Sequence, residues 1–121
     1  MTVEQVHQWF AWVMIGANAL AGVWALVANW VVGLRIKAFW WFVAVAEGSI
    51  FVQVALGVYL VSVEGIEAPG FHMFYGFVAI ISVAILYGYR RQLWPHRFLL
   101  YGFGSLFIMG LGLRAIVVNH F

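Results

Sequence analysis

The chain contains no cysteine, and only 8% of its 121 residues are Asp, Glu, Lys or Arg. Without cysteine there is no disulfide, no thiolate nucleophile and no thiolate-bound zinc or iron–sulfur centre. A soluble domain carries charge on roughly a quarter of its residues, so a water-facing globule of this size lacks the side chains to cover itself. Six basic and four acidic residues leave a formal charge of +2, too little for a nucleic-acid footprint. Together these shortages exclude a soluble enzyme, a nucleic-acid-binding module and a disordered chain.

What remains is apolar: 66% of residues are hydrophobic, 19% aromatic, and the mean hydropathy is +1.01. Crossing a hydrocarbon core takes about 20 apolar residues in a helix. Four such runs occupy residues 9–33, 38–62, 71–89 and 98–118. They are too long for membrane β-strands, and lipid leaves no partner for an open backbone. The chain therefore reads as one all-α domain over 1–121. Its short connections predict an antiparallel, up-down bundle of four transmembrane helices. Thr2-Val3-Glu4-Gln5 has the spacing of a capping box and predicts a helix start near Val3. Ala68-Pro69-Gly70 and Trp94-Pro95 break the chain ahead of the third and fourth spans. Trp9, Trp12, Trp30, Trp40, Trp41 and Trp94 fall near span ends, as an aromatic belt does. Trp24 falls mid-span and is expected to pack on a partner helix.

Loop charge predicts an orientation. Arg35, Lys37, Arg90, Arg91 and Arg97 collect on one side, five of the six basic residues. The other side carries Glu4, Glu64 and Glu67. Basic loops stay in the cytoplasm, so the expectation is an integral protein of a bacterial-type plasma membrane with both termini outside.

A few side chains stand out against this background. Glu47 lies near the middle of the second span, where a carboxylate is costly and marks either a pairing or a proton site. Arg114 is the only base at membrane depth, but nearer the other face. His7, His72 and His120 fall on the acidic side, with His96 alone opposite. Imidazoles from different segments at one depth suit a haem iron or another metal, and His7 and His72 belong to helices that are diagonal in a simple bundle. His7, Asn18 and Asn29 recur every eleven residues, nearly three helical turns, and so share a face. Ser49, Gln53 and Gly57 repeat at four residues, as do Ala44 and Gly48. Gly76, Ala84 and Gly88 line the third span, and Gly102, Gly110 and Gly112 thin the fourth. Small and amide side chains of this kind suit close helix packing.

The four-span plan with one intramembrane carboxylate resembles that of small multidrug-resistance transporters. Their Glu belongs to the first helix, where this chain has none, so no mechanism is carried over. No loop houses a substrate domain, and no nucleophile or phosphate cradle appears. The functional expectation is a non-catalytic accessory subunit of a larger membrane complex, of respiratory or other energy-transducing type. Its partners are the lipid bilayer and other membrane subunits, not nucleic acid. The alternative is a stand-alone small redox protein with haem b or a quinone, or a proton-coupled transporter working through Glu47. Gln53, Asn18 and Asn29 join Glu47 as intramembrane polar candidates.

Overall fold

The computed structural model describes residues 1–120, and of Asn119 and His120 the backbone alone; the His120 expectation thus lies outside the described residues. Among them are four long helices: α1 Val3–Trp30, α2 Lys37–Ser62, α3 Gly70–Tyr89 and α4 Arg97–His120. Each is long and apolar enough to cross a membrane.

Local chemistry sets the ends. Thr2 Oγ1 accepts the Gln5 backbone N–H at 3.2 Å, and Gln5 Oε1 accepts that of Thr2 at 3.1 Å. This is the reciprocal cap that the Thr-x-x-Gln spacing predicts. The first apolar run continues to Gly33, but α1 stops at Trp30, a correction to the span read from hydropathy. Val31 turns extended, and a 3₁₀ turn, Val32–Leu34, follows. Arg35 then folds back, its guanidinium donating to the carbonyls of Ala28 at 2.8 Å and Asn29 at 2.7 Å. A cation on the last carbonyls satisfies orphan acceptors and the negative end of the helix dipole. The Trp24 indole N–H adds a bond to the Leu34 carbonyl at 3.0 Å. After α2, Gly65 adopts a left-handed φ of 68°, a conformation glycine takes at no steric cost. Pro69 precedes the first residue of α3, and Pro95 sits in the 3₁₀ turn Trp94–His96 ahead of α4.

Contacts fix the relative directions. Asn18 of α1 donates to the Ala46 carbonyl of α2, and Gln53 of α2 donates to the His7 carbonyl of α1, so these helices run oppositely. His72 bonds the Ala115 carbonyl while Leu86 packs on Gly104, which makes α3 and α4 opposite too. The α1–α4 seam is the most extensive, α3–α4 and α1–α2 follow, and α2 meets α3 only sparsely. Glycine explains the tight seam. A Cβ on Gly22 would stand 2.7 Å from Leu106 Cγ and 3.0 Å from the Gly102 carbonyl oxygen. Not every glycine of the expected packing faces plays this part: Gly48, Gly88 and Gly110 have nothing within 4 Å of the added atom, and Ala44 is exposed.

The two ends differ in character. At the arginine end, Phe39 is fully buried among Trp24, Trp40 and Phe98, with ring centroids 5.4, 4.8 and 5.6 Å away. Arg35 lies over Phe98, Arg97 over both Trp94 and Phe98, and Arg90 over Tyr87. Trp24 packs on α2 as its mid-span position predicts. At the histidine end the four helices border a cavity.

Candidate functional site: a histidine-lined cavity

His7 lies just over one turn into α1, and His72 is the third residue of α3. These helices are not packed on one another, yet the two imidazoles meet across the molecule with centroids 6.1 Å apart and planes at 74°. They border a cavity of about 260 Å³ to which all four helices contribute. Its walls are mainly apolar, with Met14, Ile50, Val54 and Leu111 among them; Gln53 lines one side, and Glu4 and Glu67 stand exposed at the mouth.

The two imidazoles are seated differently. The partner of His72 Nδ1 is the Ala115 carbonyl oxygen at 2.9 Å. A carbonyl only accepts, so His72 Nδ1 carries the proton, and in the neutral ring Nε2 keeps a free lone pair. His7 sits against α2 at Gly57: a Cβ there would lie 3.3 Å from His7 Cε1. The missing side chain lets the ring lie close against the backbone of α2. His7 Nδ1 is buried and closes no hydrogen bond. Gln53 is 8% exposed; its Nε2 donates to the His7 carbonyl at 2.6 Å, and its Oε1 is buried without a partner. Buried polar atoms without partners are uncommon in native proteins and call for an explanation. Here two lie on residues that border one cavity.

No family model, no curated protein and no solved structure matches this chain. The site is therefore read from its own geometry.

The other candidates scatter. Glu47 does not line the cavity; six residues from Gln53, it lies about 9 Å further along α2. Its Oε1 is buried and unpartnered. Asn18 is 1% exposed and spends its Nδ2 on the carbonyls of Met14 and Ala46, which makes it a cross-helix tie. Asn29 shares its face but lies at the arginine end, where its carbonyl receives Arg35. Of the basic group, Arg35 and Arg97 turn onto carbonyls and aromatic rings, Lys37 opens α2, and Arg90 and Arg91 occupy the turn after α3. Sequence spacing put Gly57 on a packing face with Ser49 and Gln53. The signal was correct as a face, but its role as the floor under His7 depends on a neighbour that only the fold supplies.

Proposed function

We propose that this protein is a membrane-embedded subunit that holds an electron-carrying ligand in the cavity between His7 and His72. In this reading the four helices form an up-down bundle in a bacterial-type plasma membrane. Both termini and the cavity face outside, and the subunit works within a larger energy-transducing complex. The observation that carries the reading is the convergence of two imidazoles from non-adjacent helices on an apolar cavity. A carrier such as a quinone or a porphyrin needs the same combination, a flat apolar body held by a few polar contacts. An outer surface rich in exposed aromatics, Trp9, Trp12 and Phe71 among them, suits a protein that meets lipid and partner subunits. Glu47, set apart from the cavity, is assigned to helix packing rather than to proton transport.

Gentle detergent extraction, native electrophoresis and solvent extraction of the protein band test the reading together. The expected result is migration with larger subunits and a redox-active small molecule in the extract. Gly57→Leu, which fills the space under His7, is expected to lower the ligand-to-protein ratio at least tenfold with helicity unchanged. A lone monomer with no extractable redox ligand, under conditions that preserve other complexes, would overturn the proposal.

Orientation has its own test, made clean by the lack of native cysteine. A single cysteine replacing Arg91 is expected to react with a membrane-impermeant maleimide only after the cells are opened. One replacing Glu64 is expected to react on intact cells. The opposite pattern reverses the assignment.

A further inference from the structure

Resting on that reading of the cavity, we infer that its ligand is an iron porphyrin of the haem b class, with His7 and His72 as the two axial ligands. An imidazole nitrogen binds a transition-metal ion at about 2.0 Å, and its ring centroid lies about 1.15 Å further back. Two rings in trans across one iron thus have centroids roughly 6.3 Å apart. The observed separation is 6.1 Å. Edge-to-face packing of two aromatic rings spans the same range, so distance alone does not decide. Hydrogen bonding adds to it: the fixed proton of His72 is spent on the Ala115 carbonyl, leaving Nε2 with its lone pair for a metal. A backbone acceptor behind the distal nitrogen, as at His72, is the arrangement that orients imidazole ligands of metal sites and raises their basicity. His7 Nδ1 is buried with no partner.

The surroundings suit a porphyrin better than a compact ion. Among the described residues no third His, Cys, Asp or Glu joins the pair to complete a metal cluster, and an iron already held by four pyrrole nitrogens needs only two more ligands. Gly57, Gly76 and Gly112, one from each of three helices, line the cavity, and at Gly57 the absent side chain leaves the place that the His7 ring occupies. The 260 Å³ cavity takes the centre of a macrocycle, and the sparse α2–α3 seam leaves a side through which its edge extends. Glu4 and Glu67 at the mouth are exposed, so water and salt screen them from the propionates.

The full-length protein, expressed in cells supplied with a haem precursor and purified in mild detergent, is the material for the test. The expected result is about one haem b per chain by pyridine haemochrome, with a sharp ferrous α band and no carbon monoxide shift, as two imidazole ligands dictate. His72→Gly is expected to lose haem at least tenfold and to regain the spectrum when free imidazole is added during reconstitution. His7→Met, which puts a thioether sulfur in place of the imidazole nitrogen, is expected to retain haem with an altered spectrum and a raised potential. Because imidazole rescue and the methionine spectrum require a folded site, a merely structural role for the histidines reproduces neither. Haem that stays with an unchanged spectrum in both variants overturns the axial assignment. A quinone in the extract with no haem overturns this inference and leaves the broader reading standing; neither ligand overturns both.

Discussion

Gly102→Val is expected to destabilise the protein by about 2–3 kcal/mol, the range for overpacking a tight interior contact. The β-carbon alone would stand 2.5 Å from Leu26 Cδ2, 2.7 Å from its Cγ and 3.3 Å from its backbone nitrogen. The leucine tip can rotate away, but the backbone nitrogen moves only if α1 itself does. Gly22, across the seam, already lies where a β-carbon would meet the Gly102 carbonyl oxygen, so the helices have no slack to take up the displacement. Gly110→Val is the control, since nothing lies within 4 Å of its added atom. The intrinsic helix preference of valine over glycine applies to both sites and cancels in the comparison. Unfolding in mixed detergent micelles, followed by circular dichroism, reads the difference. Equal curves for the two variants would show that the α1–α4 seam is not the close contact described.

That comparison also marks what the sequence can and cannot convey. Gly102, Gly110 and Gly112 look alike in a hydropathy run. Helical spacing tells which residues share a face, but not which face meets a partner, and in a uniformly apolar helix no polar side distinguishes outside from inside. The four helices were legible because the cost of unpaired backbone in lipid leaves one solution. Helix ends were legible where a side chain carries the cap, as at Thr2. The end of α1 was not, because Arg35 acts from beyond the apolar run. For the site, up-and-down tracing places His7 and His72 at one end on diagonal helices. That they meet depends on the sparse α2–α3 seam and on Gly57, both properties of packing. Glu47 attracted attention because a carboxylate in lipid is costly, yet cost shows only that a residue has some environment to satisfy. Asn18 illustrates the same limit: a buried amide in a span reads equally as path or as tie, and here its Nδ2 bonds the carbonyls of Met14 and Ala46 while its Oδ1 is buried without a partner.

Phe39→Ala is expected to cost about 2 kcal/mol and to loosen the arginine end as a unit. In a water-soluble core the same truncation costs about 3–5 kcal/mol, part of it the lost transfer of the ring out of water. For helices that separate within lipid that part is largely absent, because the ring passes from one apolar medium to another. What remains is dispersion with neighbours that cannot close the gap, and Phe39 has many. It is fully buried and meets Trp24 and Trp40 edge to face, at interplanar angles of 70° and 75°. The loss propagates because the same cluster anchors the α1 terminus. Trp24 carries the bond to the Leu34 carbonyl, and Arg35, which caps α1, rests 4.8 Å from the centroid of Phe98. The near-ultraviolet dichroism of the tryptophans is therefore expected to weaken along with stability, while the far-ultraviolet helical signal holds. Trp41→Ala, two residues on in the same Phe-Trp-Trp-Phe run, removes a larger ring that is 74% exposed. It faces outward and is expected to shift unfolding by no more than about 0.5 kcal/mol. If Trp41→Ala proves the more damaging of the two, the inward face of α2 has been assigned to the wrong side.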